Sequence, residues 1–122
     1  MPSLKHAALA AVAVALLPSV VLAQDISARF RLAQAPGNIQ GCIAFDSTLT
    51  RVHTFTLKNG QAEVKAAGGM DDKMKLVSPN VYATVLALGG AHLDVVADLG
   101  AAPKTLTVTE KNRGCKWFAT AE

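Results

Sequence analysis

The sequence predicts an all-β fold, a small antiparallel β-sandwich or barrel of about seven to nine strands with one disulfide. Short segments of alternating apolar and polar residues recur along residues 24–122, and clusters of Gly, Pro and Asn separate them. The same range holds no segment with the periodicity of a convincing amphipathic helix. Cys42 and Cys115 are the only cysteines of the chain, and they account for the predicted disulfide.

The N-terminal segment has the pattern of a secretory signal peptide. A short basic region around Lys5 precedes an apolar run over residues 7–17, and small residues end the segment at Ala23. Because the apolar run is too short to span a bilayer, cleavage is favoured over a retained anchor. We therefore predict a signal peptide over residues 1–23 and a single all-β domain over residues 24–122. The mature protein is expected to be secreted or periplasmic, with no membrane span after cleavage.

The charge of the chain is weak. Its formal net charge at pH 7 is +3, and the basic residues are scattered along the sequence. Nucleic-acid binding normally requires a basic stripe or tract, so nucleic acid is not an expected partner. A domain of this length can bury one modest core, and small exported domains of that kind often rely on disulfides.

The two cysteines are predicted to pair with each other. Export places them in an oxidising compartment, and two cysteines allow only one intramolecular pairing. A Cys42–Cys115 disulfide would close a loop of roughly 70 residues, which the chain-entropy model associates with about 4 kcal/mol of stabilisation. Neither cysteine has the neighbouring His or the C-x-x-C spacing typical of a reactive or metal-binding thiol. Both cysteines are interpreted as structural.

The start of the mature chain alternates between strand and turn patterns. Residues 25–34 have the two-residue period of a half-buried strand, and a Pro-Gly-Asn turn follows at 36–38. Residues 41–46 form a short apolar segment that is predicted as the next strand. Residues 47–50 are predicted as a polar break.

The clearest hairpin pattern spans residues 51–66. Its centre is Asn59-Gly60, a pair that adopts the positive φ angles of a type I′ turn. His53 alternates in this segment with Phe55 and other apolar residues. It is therefore predicted to cap or border the core.

One further strand and two further hairpins are predicted in the rest of the chain. Residues 73–78 form a strand pattern that ends at a Pro-Asn pair, and residues 81–99 form a hairpin pattern around Gly89-Gly90. A third hairpin is predicted over residues 104–120. The residues expected on its buried face are Leu106, Val108, Cys115 and Trp117.

Residues 70–99 resemble the βγ-crystallin family. In that family an acidic or amide pair precedes a strand and a glycine corner follows, and here Asp71-Asp72 and Gly89-Gly90 occupy the corresponding places. The resemblance implies a Greek-key sandwich and, as in some relatives, calcium binding or protease inhibition. Two serines of the family motif are replaced in this chain, one of them a calcium ligand.

Two weak metal sites are left open as alternatives. His92, Asp94 and Asp98 alternate along one predicted strand and would share a face, which suggests a zinc site or a small metal-dependent hydrolase. Two polar positions on a solvated strand face explain the same pattern. Asp71 and Asp72 offer oxygen ligands for calcium, but calcium requires about six to eight oxygens. The adjacent lysines would oppose the cation, so a solvated turn explains this pair as well.

A non-enzymatic binding function is therefore the main hypothesis. A rigid, disulfide-bonded β-domain presents loops that are already ordered, which lowers the cost of binding a protein or glycan partner. An inhibitor of a secreted hydrolase is the concrete version, with no cofactor required and calcium left open. The candidate binding surface is Lys111, Arg113, Lys116 and Trp117, with Trp117 also expected to pack beside the Cys115 disulfide. A monomer or a weak dimer formed by edge strands is expected.

Overall fold

The computed structural model describes residues 24–122, and the predicted signal peptide lies outside the described residues. Within that range the chain forms nine β-strands, and two short helical segments lie between the second and the third strand. The strands are β1 Ile26–Arg31, β2 Ala33–Gln34, β3 Val52–Lys58, β4 Gln61–Lys65, β5 Asp71–Ser78, β6 Val81–Leu88, β7 Ala91–Asp98, β8 Thr105–Glu110 and β9 Cys115–Thr120. The helical segments are a 3₁₀ helix, Gln40–Phe45, and a single α-helical turn, α1, Asp46–Leu49.

The strands form one nearly closed, barrel-like antiparallel sheet, which confirms the predicted fold class. The strand order is β1-β3-β4-β5-β6-β7-β8-β9-β2, so most neighbours in the sheet are also consecutive in the chain. This order is an up-and-down meander. The Greek-key order that the sequence left open is therefore corrected, while the family resemblance itself stays a prediction.

The first and last strands meet at a closed corner of the barrel. The chain runs from β1 through the buried Leu32 into β2, so that β1 pairs with β3 and β2 pairs with β9. Phe30 forms a bridge with Ala121, and the backbone N–H of Glu122 donates to the carbonyl oxygen of Arg29 at 2.9 Å. These bonds close the sheet along this side.

A second corner lies within β5. Residues Asp71 to Met74 pair only with β4, and the pairing with β6 begins at Lys75. The strand therefore passes from one half of the barrel to the other between Met74 and Lys75. No ladder joins its first half to β6.

The core is formed by side chains at alternate positions of the strands. In β7 and β9 every second side chain is buried and the intervening ones face outward. Full burial of a large aliphatic or aromatic side chain stabilises a fold by about 1.5–3 kcal/mol. The largest completely buried apolar side chains are Trp117, Phe30, Phe55, Leu32, Leu49, Met70, Leu93 and Leu106.

The segment between β2 and β3 is helical, so the predicted strand at 41–46 and polar break at 47–50 are wrong. Its buried residues are Cys42, Phe45 and Leu49, which are spaced by three and four positions and therefore share one face of a helix. The intervening Ile43 is exposed. Both helical segments are short, and no helix described in residues 24–122 is long and apolar enough to cross a membrane.

Both predicted glycine hairpins are confirmed. Asn59 and Gly60 have φ angles of 52° and 77°, and Gly89 and Gly90 have φ angles of 57° and 80°. Positive φ at both central residues is the requirement of a type I′ turn, whose twist matches that of the flanking strands. The register of β3 with β4 and of β6 with β7 follows from these turns.

Candidate functional site

The predicted disulfide is confirmed. Cys42 and Cys115 are bonded, with Cα atoms 5.7 Å apart, and both residues are completely buried. The bond ties the 3₁₀ helix to the start of β9. A disulfide is compatible with an oxidising compartment.

Trp117 lies two residues beyond Cys115, on the inward face of β9. Its indole packs edge-to-face against Phe45, with ring centroids 5.8 Å apart, and its Nε1 donates to Oδ1 of Asp46 at 3.1 Å. The side chain is 0% exposed. Its inclusion in the candidate binding surface is therefore wrong, because a completely buried indole cannot contact a partner.

Asp46 connects Trp117 to two other parts of the chain. Its carboxylate also accepts hydrogen bonds from Gln34 Nε2 at 2.7 Å and from Thr50 Oγ1 at 3.0 Å. Burial acts to raise the pKa of this carboxyl, but the hydrogen bonds from Trp117, Gln34 and Thr50 outweigh it and hold the pKa below its ordinary value. The carboxylate therefore stays ionised and anchors α1 to β9.

Lys111 and Arg113, two basic residues of the candidate binding surface, form ion pairs within the protein. Glu110 is buried and accepts the backbone N–H of Arg113 at 2.8 Å, while the Arg113 guanidinium lies 3.6 Å from the other carboxylate oxygen. The guanidinium also stacks 5.4 Å from the centre of the Phe45 ring. Lys111 pairs with Asp94 at 3.3 Å. Residues 110–117 thus mainly hold the β8–β9 hairpin in place.

Lys116 is fixed through its backbone. Its carbonyl accepts a hydrogen bond from Asn38 Nδ2 at 2.9 Å, and its N–H donates to Asn38 Oδ1 at 3.0 Å, so that the amide side chain pairs like a strand residue. Its ammonium group lies on the outer face, 6.0 Å from the Phe118 ring centre.

The candidate metal residues do not converge. His92, Asp94 and Asp98 share the outer face of β7 as predicted, but Asp94 pairs with Lys111, and Asp98 accepts the backbone N–H groups of Gly100 and Ala101 at 3.0 and 3.2 Å. In residues 24–122 no group of three or more His, Cys, Asp or Glu side chains could hold a metal ion.

Asp71 and Asp72 lie on a strand rather than in the predicted turn. They are the first two residues of β5, and successive side chains of a strand point to opposite faces. Their carboxylates therefore diverge. The sequence misplaced the boundary because the turn uses only residues 66–69, where Gly69 N–H bonds to the Ala66 carbonyl at 2.9 Å.

His53 is a buried core residue. Its Nε2 accepts the backbone N–H of Met70 at 3.3 Å, so Nδ1 carries the proton and donates to the Arg51 carbonyl at 3.2 Å. Burial lowers the pKa of His53, and the charge of Arg51 acts in the same direction, whereas the hydrogen bond to the Arg51 carbonyl opposes the shift. The neutral ring joins the start of β3 to the turn before β5.

This geometry predicts that the protein loses stability in mild acid. Since the folded state binds the His53 proton less tightly than the unfolded state, the free energy of unfolding is fully retained above the unfolded pKa and decreases as the pH falls below about 6.5. Chemical denaturation of the domain over residues 24–122 between pH 7.5 and 5 measures the effect. His53→Gln should be less stable at pH 7.5 and should lose most of this pH dependence.

His92→Gln is the matched control, because His92 is exposed on the outer face of β7. It should retain the pH dependence of the native protein. Equal pH profiles for His53→Gln and the native protein would contradict the assigned role of His53.

Leu76 and Val77, which lie exposed beside a turn, were not identified from the sequence as candidate binding residues. Residues 75–80, called here the β5–β6 tip, are all exposed. Leu76 and Val77 are each 61% exposed, although they are neighbours whose side chains leave the strand in different directions. A half-buried strand places a polar residue at one of two adjacent positions. The adjacent Leu76-Val77 pair breaks this alternation, but the sequence alone does not distinguish a strand that is buried on both faces from one that is exposed on both.

Cationic residues lie beside the tip. Lys58, Lys73 and Lys75 line a shallow groove between the β3–β4 turn and β5, together with Glu63. Glu63 pairs with Lys65 at 3.5 Å. Within residues 24–122 the three groove lysines form no ion pair. The groove is therefore a positively charged surface next to two exposed aliphatic side chains.

Comparisons of the chain with protein-family models, with curated proteins and with solved structures find no match.

Proposed function

We propose that the mature chain is an exported, non-enzymatic binding module that engages a protein partner through the β5–β6 tip. Its concrete form is inhibition of a secreted hydrolase, with the tip inserted into a cleft of the enzyme. The observation that carries the proposal is the exposure of Leu76 and Val77, 61% each, at the end of an ordered hairpin. Contiguous exposed apolar surface marks interaction sites, whereas apolar residues scattered singly on a surface do not.

The tip is held in one conformation before any partner arrives. Asn80 has a φ of 62°, which suits a turn with Pro79 at the preceding position. The carbonyl of Asn80 accepts the backbone N–H of Leu99 at 2.8 Å, so the β7–β8 connection supports the turn. An ordered loop loses less conformational entropy on binding, which favours affinity.

The charge around the tip indicates the chemistry of the partner. Lys58, Lys73 and Lys75 surround the base of the tip, and an acidic rim on the partner would complement them. The expected partner is therefore a protein with an apolar pocket bordered by carboxylates. A periplasmic or extracellular location of the complex is part of the proposal, and the disulfide, which suits an oxidising compartment, supports it.

The test compares two doubly substituted variants. Leu76→Asp/Val77→Asp places charge on the tip, and Ile39→Asp/Ile43→Asp places it on two equally exposed isoleucines, 55% and 58%, around the 3₁₀ helix. The native protein and each variant, immobilised, are used to isolate partners from the envelope fraction of the source organism. An identified partner is then purified and titrated by calorimetry, and assayed if it is a hydrolase.

We expect the tip variant to weaken binding by more than about thirtyfold, as for a central contact worth at least 2 kcal/mol. The helix variant should bind like the native protein. Loss of binding in the helix variant alone, or equal binding by all three proteins, would overturn the proposal.

A further inference from the structure

Strand β6 has an open edge over residues 84–88. Its ladder with β7 runs along its whole length, from Val81 to Leu88. On the opposite side the ladder with β5 ends at the pair of Lys75 with Ala83. Beyond that pair β5 is joined to β4, so residues 84–88 of β6 have no pairing partner on this side among residues 24–122.

The hairpin geometry identifies which backbone groups face the open edge. Leu88 and Ala91 flank the two-residue Gly89-Gly90 turn, and the pair next to such a turn exchanges both of its hydrogen bonds. Bonding direction alternates along an antiparallel strand, so Leu88, Leu86 and Thr84 bond to β7. The N–H and C=O groups of Val85 and Ala87 consequently point to the open edge.

The edge lacks the usual protection against pairing. Proteins commonly block an exposed edge with charged residues, proline or a bulge. Residues 81–91 of this chain contain no charged residue and no proline, and the bulge between Leu76 and Ser78 lies on β5, outside this segment. The side chain of Val85 lies on the outer face of the sheet at this edge and is 54% exposed.

We propose that the open edge of β6 pairs with the same edge of a second copy of this chain. An antiparallel pair with its two-fold axis at Leu86 places Val85 opposite Ala87 of the second copy. Each of these pairs exchanges an N–H to C=O bond in both directions, so all four edge groups of each copy are satisfied. The edge is thus self-complementary, as an isologous dimer interface must be.

The side chains suit the same arrangement. Val85 and Ala87 of both copies meet on the outer face, and the half-buried Leu86 and Leu88 lie on the inner face. No like charges face each other across the axis, because the segment is uncharged. Two short strands form a small interface, so the dimer should be a weak one. This inference depends on residues other than the β5–β6 tip and stands independently of the proposed function.

The test is the molar mass of the mature protein in solution over a wide concentration range, measured by sedimentation equilibrium. Val85→Lys places two lysines at diagonal positions across the axis and should weaken self-association by up to about fivefold. Val96→Lys is the matched control, since Val96 faces outward on β7 and both edges of β7 are paired. It should self-associate like the native protein.

Cysteine variants test the register. Ala87→Cys mixed with Val85→Cys should form a disulfide-linked dimer much faster than either variant alone, because the pairing places these two positions opposite each other. A native protein that stays monomeric at every concentration would overturn the proposal. Equal weakening by Val85→Lys and Val96→Lys, or the fastest cross-linking in an unmixed variant, would also overturn it.

Discussion

Replacing both cysteines, Cys42→Ala/Cys115→Ala, should lower the free energy of unfolding by about 4 kcal/mol. The two residues are separated by 73 positions, so the bond removes much of the conformational freedom of the unfolded chain. The stability of a small domain is typically about 5–15 kcal/mol. The loss is therefore a large share of the total, and the variant should be partly unfolded at 37 °C.

Urea denaturation at 25 °C, followed by Trp117 fluorescence, measures this effect. The native protein treated with a reducing agent in urea provides the comparison, because it loses the bond without a change of side chains in the core. Both forms should be destabilised to a similar extent. A loss below about 1 kcal/mol in both would show that the disulfide contributes little to the fold, contrary to the chain-entropy estimate.

The second large effect is expected for Trp117→Ala, which should cost about 3–5 kcal/mol. The indole is completely buried and contacts Phe45 edge-to-face, so its removal leaves a cavity beside the disulfide. It also deprives Asp46 of one hydrogen-bond donor. Thermal and urea denaturation followed by circular dichroism provide the measurement, since the variant lacks the only tryptophan.

Trp117→Phe separates packing from hydrogen bonding. Phenylalanine keeps an aromatic ring in the core but cannot donate to Asp46, so a smaller loss of about 1–3 kcal/mol is expected. A variant as unstable as Trp117→Ala would show that the hydrogen bond dominates. A variant as stable as the native protein would contradict the role assigned to the Trp117–Asp46 contact.

The fold class was predictable because alternation and turn chemistry are local signals. Asn59-Gly60 and Gly89-Gly90 each fixed a hairpin, and the alternation around Leu93 correctly separated the buried from the outward residues of β7. The disulfide was predictable by elimination, as only one pairing exists.

The segment over residues 40–49 was not predictable in the same way. The five apolar and small residues at 41–45 are compatible with either a strand or a helix, because the segment is short. The helical conformation brings Cys42 and Phe45 into the core next to β9. That contact is long-range, and a local pattern does not contain it.

The roles of the candidate site residues were even less predictable from the sequence. Basic and aromatic residues in one short segment suggested a binding surface, yet Trp117 is buried and Arg113 pairs with Glu110. Whether a polar side chain is free or engaged depends on residues far away in the chain. Conversely, Leu76 and Val77 look like ordinary strand residues, and only the end of the β5 ladder leaves both exposed.

The two ends of the barrel therefore have different roles in this account. At one end the disulfide, Trp117 and Asp46 hold the helical segment against the core. At the other end the β5–β6 tip is ordered but exposed, with lysines beside it. A rigid domain that presents one apolar tip is suited to insertion into a partner.

Site-specific photo-cross-linking in the source organism tests the central proposal most directly. A photoreactive phenylalanine derivative replaces Leu76 in one protein and Ile43 in another, and adducts are identified by mass spectrometry. We expect the probe at position 76 to yield one dominant adduct with an envelope or secreted protein, while the probe at position 43 yields none. Adducts at position 43 and none at position 76 would contradict it.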